Sequence, residues 1–174
     1  MATDNFGGTY RVAEYLISKG HRDIAFAKGK DTVRNARDRF EGFIHAMKRN
    51  NLSLQKNWIL DGDFTPESGQ DVMRKIISSG KLPSALICAN DLMALGALSE
   101  AKNANIKVPD NMAIIGFDGI GLTAFTDPPL TTVRQPLYNM GFTASEMLFN
   151  RIKDPGRLPE YKIFPVELIE RKSA

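Results

Sequence analysis

Apolar residues along the chain keep switching between two rhythms. They recur at helical spacing at Tyr10, Ala13, Leu16 and Ile17, at Phe40, Phe43, Ile44 and Met47, and at Val72, Met73, Ile76 and Ile77. Between these stripes lie short runs that are apolar on both sides: "DIAFAKG", "NWILDGDF", "SALICA" and "MAIIGFD". The pattern predicts helices over 6–18, 33–49, 91–103 and 137–153, one more from Thr65 to a stop at Gly80, and a strand at each apolar run. Local punctuation agrees. Asp4 or Asn5 can cap the first helix, and Gly20 suits its C-terminal stop.

Strands joined by helices too long to be hairpin links, and apolar on both faces, predict an α/β fold: a parallel sheet flanked by helices. After Asp118 the alternation breaks. "GIGLTAFTDPPL" is a loop carrying Pro128-Pro129, "TTVRQP" a brief strand, Leu137 to Lys153 a helix, "DPGRLPEY" a turn and "IFPVELIER" a last strand. One strand and one helix, fenced by prolines that cannot donate to a ladder, predict an excursion out of the main sheet and back.

In open parallel sheets ligands bind beyond the carboxyl ends of the strands, where helix N-termini also point. Here those positions read Lys28-Gly29-Lys30, Asp61-Gly62-Asp63-Phe64, Asn90-Asp91 and Asp118-Gly119. Asp and Asn are also the commonest helix caps. For Asn90 and Asp91 capping explains the residue type equally well. Asp118 precedes Gly-Ile-Gly and no clear helix, so a ligand contact explains it better.

Composition narrows the class. The 174 residues are 43% apolar and 25% charged, which suits one globular domain. No apolar run approaches the roughly 20 residues of a membrane span, so no membrane partner is expected, and the N-terminus lacks the pattern of a signal peptide. The single cysteine, Cys88, lies in an apolar strand and reads as a buried small hydrophobe. With no disulfide possible, a cytoplasmic location is expected. The net charge of +3 is scattered, with no stripe that would neutralise phosphates.

Catalytic readings are weak. Of the two histidines, His21 follows Gly20 in a turn and His45 sits off the apolar face of its helix. There is no HxxxH, paired cysteine or carboxylate cluster for a metal, and no GxSxG. "GKDTVRNAR" lacks the closing Gly-Lys-Ser/Thr of a phosphate loop. No catalytic residue, metal or cofactor is assigned, and the chain is read as a non-enzyme.

Six stretches in order, "DNFGGTYRVAEYLISKGHRDIAFAKG", "RDRFEGFIHAM", "GDFTPESG", "ICANDLMALGAL", "VPDNMAIIGFD" and "DPPLTTVRQP", resemble the effector-binding core of the lactose-repressor/purine-repressor (LacI/GalR) family of bacterial transcription regulators. The resemblance implies a periplasmic-binding-protein-like fold of two α/β lobes with an effector in the cleft. Residues 1–130 then correspond to the C-terminal lobe, 131–153 to a crossover strand and helix belonging to the N-terminal lobe, and 154–174 to a return strand. The DNA-binding headpiece, hinge helix and most of the N-terminal lobe have no counterpart in these residues.

The resemblance also implies roles. Arg39, of the "R-x-x-G-F" motif, would grip effector with its planar fork. Phe64, of "GDF", would be a stacking wall. Asn90, of "AND", and Asp118, closing "G-F-D", would hydrogen-bond effector, and Asn35 would touch it. The helix from Asp91, apolar nearly all round, with Leu95 and the nearby Phe125, would form a homodimer interface. The implied partners are a small-molecule effector (a sugar or a purine-like molecule), a second copy, and operator DNA only through the headpiece. A sugar-binding protein of a transport system shares the fold and is the alternative. A small α/β enzyme would need a nucleophile–base pair that is not visible.

Overall fold

The computed structural model describes residues 1–174. The elements run β1 (Ala2–Thr3), α1 (Asn5–Ser18), β2 (Ile24–Lys28), α2 (Arg34–Arg49), β3 (Ile59–Asp61), α3 (Pro66–Ser78), β4 (Ala85–Cys88), α4 (Asp91–Asn103), β5 (Ala113–Asp118), β6 (Thr131–Arg134), α5 (Leu137–Lys153), β7 (Ile163–Phe164) and β8 (Glu167–Ile169). Six strands form one sheet in the order β3-β2-β4-β5-β6-β8. All neighbours in it are parallel except β8, which runs antiparallel to β6.

The cause lies in the residues. β2 and β4 are buried almost throughout, as strands covered on both faces must be. One face of the sheet packs on α1 and α2 through Phe26, Phe43, Leu16 and Ile115. The other packs on α3 and α4 through Leu86, Met93, Met73 and Ile114. Each such side chain contributes roughly 1.5–3 kcal/mol by leaving water. Helix starts follow the caps: Asp4 accepts from the Gly7 N–H (2.8 Å), Thr65 from that of Ser68 (3.2 Å) and Asn90 from that of Met93 (3.0 Å). Between α3 and α4, Gly69 and Gly96 each lie where a Cβ would run into the facing helix backbone, so these two helices pack backbone to backbone.

Two features differ from the expectation. The strand at Thr131–Arg134 does not leave with the excursion; it lies in the main sheet, with Thr131 opposite Ile115 and Val133 opposite Phe117. Pro128-Pro129 precede this strand and Pro136 follows it, so neither breaks its ladder, and Thr131, Thr132 and Val133 are buried. The excursion is therefore shorter. The C-terminal run is also not one strand. Pro165 divides it into β7, which pairs parallel with β1 in a separate two-stranded sheet, and β8 in the main sheet.

The excursion helix α5 has no buried residue; Tyr138 is 84% and Ile152 65% exposed. Around α4, the residue proposed for a dimer contact, Leu95, is half-buried against the core, whereas Phe125 is 84% exposed beside an exposed Leu122. Cys88 is buried, and burial pushes its thiol far up. His21 N–H donates to the Leu16 carbonyl (3.0 Å) beyond Gly20 at φ 96°, a helix-terminating turn. His45 is exposed, edge-on to Phe6.

Candidate functional site

The chain builds outward from β2 in both directions, to β3 on one side and to β4 on the other. The crevice at this switch point, beyond the carboxyl ends of the strands, is where such sheets bind ligands. Gly29 follows β2, Phe64 follows β3, Asn90 follows β4, and Asp118 closes β5.

Phe64 has φ 75°, a left-handed conformation that a phenylalanine adopts only when its surroundings hold it. The hold is visible. The Asn90 side-chain amide donates to the Phe64 carbonyl (3.0 Å), and the ring lies against Gly29, where a Cβ would collide with it. Asn90 thus caps α4 with its oxygen and pins Phe64 with its nitrogen, at 6% exposure. The capping reading of this residue is correct, and its amide orders the rim as well.

Arg39 reaches the rim from α2 and is only 4% exposed. Its Nε donates to Asn5 Oδ1 (2.8 Å), Nη1 to the Ala89 carbonyl (2.5 Å), and Nη2 pairs with Asp118 Oδ1 (3.1 Å). Its guanidinium lies 3.7 Å from the centroid of Phe117, a cation–π contact. Burial lowers its pKa while Asp118 opposes that shift, and it remains cationic. The fork expected to grip an effector is spent largely on protein acceptors.

Asp118 sits at φ 121°. Its Oδ1 takes two donors, Arg39 Nη2 and Gln135 Nε2 (2.7 Å), and no protein donor reaches Oδ2. The side chain keeps 27% exposure. Burial pushes its carboxyl up, against the pull of Arg39 and Gln135. The turn after it is held from below by Asp91. That carboxylate is fully buried, accepts from the Thr132 hydroxyl (2.5 Å) and the Ile120 N–H (2.8 Å), and is pushed by burial to about 6. Gly116 leaves the room it occupies.

Lys28, Asp61 and Asp63 on the rim are paired within the protein. Lys28 bridges Asp31 (3.2 Å) and Asp61 (3.1 Å), and Asp63 accepts from the N–H and the hydroxyl of Thr65. Asn35 is exposed on the first turn of α2, one turn before Arg39. No group of three or more His, Cys, Asp or Glu residues could hold a metal. A cavity of about 590 Å³ opens beside Asp118 and Gln135, toward Tyr138 of α5 and Pro165. The sequence reading missed Gln135, Asn5 and Thr3. Their bonds to the site span 17 to 132 residues of sequence, which no local pattern records.

Residues 13–174 match the model of the periplasmic binding protein-like domain. The chain is 43% identical over 171 residues to the HTH-type transcriptional repressor PurR of Histophilus somni (strain 2336), covering 98% of this chain and 51% of the relative. It superposes at a TM-score of 0.94 on a putative LacI transcriptional regulator from Bacillus cereus subsp. cytotoxis, at 33% identity, covering 99% of this chain and 61% of that one. The same score is reached with the transcriptional regulator CelR in complex with cellobiose, at 30% identity, covering 99% and 53%. The chain spans about half the length of the curated relatives it matches. It belongs to the periplasmic binding protein-like domain family, and within it to the effector-binding domains of LacI/GalR-type regulators. No helix is long and apolar enough to cross a membrane.

Proposed function

We propose that this chain is an effector-binding lobe of a cytoplasmic LacI-type transcription regulator. It takes a small molecule at the strand-end rim and performs no chemistry on it. One observation carries the reading. Asp118, with two donors on Oδ1, presents an unpartnered Oδ2 on the same strand-end rim that carries Phe64. A carboxylate oxygen that only accepts, on a rim that also carries an aromatic ring, suits a ligand with a hydroxyl or N–H donor on the edge of a flat or C–H-rich face. A sugar and a purine-like base both fit that description. The 43% identity to the repressor PurR supports a purine-like ligand, and the likeness to a cellobiose complex supports a sugar.

Arg39 and Asn90 order this rim more than they touch ligand, and Asn35 is placed to contact a ligand only at its outer edge. The rim faces solvent, so a bound molecule keeps much of its surface wet, where tight sites bury ~70–90% of it. Affinity is therefore in the millimolar range, about −4 kcal/mol. Operator binding belongs to the part of the longer relatives that this chain does not span. The exposed Phe125 and Leu122 beside α4 are the surface for a second copy.

Calorimetry with hypoxanthine, cellobiose and ribose tests the reading. One of them binds weakly to the wild type and is lost in Asp118→Ala, whereas binding that survives Asp118→Ala contradicts it.

A further inference from the structure

The donors on Asp118 belong to a closed ring of hydrogen bonds that begins far away in sequence and passes through the Thr3 backbone carbonyl. Arg39 Nη2 pairs with Asp118 Oδ1 (3.1 Å), and Arg39 Nε donates to Asn5 Oδ1 (2.8 Å). Asn5 Nδ2 donates to the Thr3 carbonyl (3.1 Å), and the Thr3 hydroxyl donates to Gln135 Oε1 (2.8 Å). Gln135 Nε2 then donates back to Asp118 Oδ1 (2.7 Å). Thr3, Asn5 and Arg39 are 6%, 2% and 4% exposed, so these bonds work without competition from water. The ring has only one outlet: both its ends arrive on the same oxygen of Asp118.

We infer that Thr3, Asn5 and Gln135 are positioning residues of the ligand site: they aim two donors at Asp118 Oδ1 and so leave Oδ2 as the atom offered to ligand. The inference rests on the reading of Asp118 as the ligand contact. It also places the site at a junction of the chain. Thr3 lies in β1, opposite Phe164 of β7 in the small sheet. Asn5 opens α1, and Gln135 leads from β6 into α5 while its own N–H donates to the Asp118 carbonyl (3.3 Å). The stretches that enter and leave the excursion therefore meet at one ligand-facing carboxylate.

A local cap explains none of this. The carboxylate that caps α1 belongs to Asp4, between the two ring residues, which leaves the Thr3 and Asn5 side chains free for the ring. Thr3 is two hydrogen bonds away from Asp118, with Gln135 between them. A change that removes only the Thr3 hydroxyl acts on Asp118 through Gln135.

The test follows the Asp118 carboxyl by carbon-13 NMR titration of the full chain, alongside calorimetry with hypoxanthine, cellobiose and ribose. The groups facing this carboxyl are Arg39 of α2, Asp91 of α4 and Gln135 after β6. Gln135→Leu removes a donor to the charged form, so the titration midpoint rises by about one pH unit. Thr3→Val removes only the hydroxyl and raises it less, in the same direction. Asn5→Leu frees the guanidinium and also raises it. Each variant weakens the probe that the wild type binds, Gln135→Leu by about tenfold. If melting temperatures fall while midpoint and affinity stay at wild-type values, the residues are structural only and the inference is overturned. Should Asn5→Leu fail to fold, Thr3→Val, which buries no new polar group, decides alone. If the wild type binds none of the probes, the ligand reading falls, and the Asp118 midpoint still decides whether the ring orders the carboxylate.

Discussion

Replacing Asp91 by Asn separates the electrostatic cost of the rim from its hydrogen bonds. Asp91 is 0% exposed, and burial raises its pKa from the ordinary 3.8 to about 6. The sign follows from proton binding. Between these two values the folded protein holds a proton that the unfolded chain releases, so stability is greatest below about pH 4 and is lost as pH rises through about 6. A difference of about two pH units corresponds to about 3 kcal/mol at neutral pH. Asn keeps the shape, can accept from the Ile120 N–H through its oxygen, and can donate to the Thr132 hydroxyl in place of the bond made there now. The protein with Asp91→Asn should therefore gain relative to wild type as pH rises, by up to about 3 kcal/mol between pH 4 and 7. His21, whose pKa is lowered by burial, changes stability in the opposite direction and cancels in the comparison, whereas the repulsion between Asp91 and Asp118 is removed by the substitution and counts toward the gain. Urea unfolding of both proteins at several pH values in this range measures the difference directly. Parallel curves would refute the reasoning, because they would mean that Asp91 carries no desolvation cost.

Gly29→Ala places a methyl group in the volume of the Phe64 ring. It should displace the ring, cost about 1–3 kcal/mol in denaturant unfolding, and weaken the bound probe about tenfold; unchanged affinity would remove Phe64 from the site. Phe125→Asp puts a charge on a side chain that is 84% exposed. It should give a monomer of unchanged melting temperature by sedimentation velocity, and a wild type already monomeric at high concentration would show that this face is not an interface.

The main sheet was legible because its strands are covered on both faces and announce themselves as unbroken apolar runs, while the helices show stripes such as Phe40, Phe43 and Met47. Asp118 stood out because no helix follows it to be capped. The fate of Thr131–Arg134 was not legible. In the sequence its prolines look like barriers, but they flank the strand, and only the pairing with β5 shows that they lie outside the ladder. β1 and β7 are two residues each, below what periodicity can detect. The ring from Thr3 to Gln135 was invisible for a related reason. Its members are ordinary polar residues whose meaning lies in contacts across 34 and 132 positions. Arg39 is the instructive case: the family motif marks it, but the surrounding acceptors Asn5, Ala89 and Asp118 decide how much of its fork remains for a ligand.

Nitrogen-15 chemical-shift mapping of the full chain during titration with hypoxanthine, cellobiose and ribose tests most directly whether a small molecule binds at the strand-end rim through Asp118. One probe should shift the amides of Gly29, Phe64, Asn90 and Gly119 and the side-chain amide of Gln135 together, along a single millimolar isotherm. Shifts confined to α5 and the 157–160 turn, or no saturable shift with any of the probes, would contradict it.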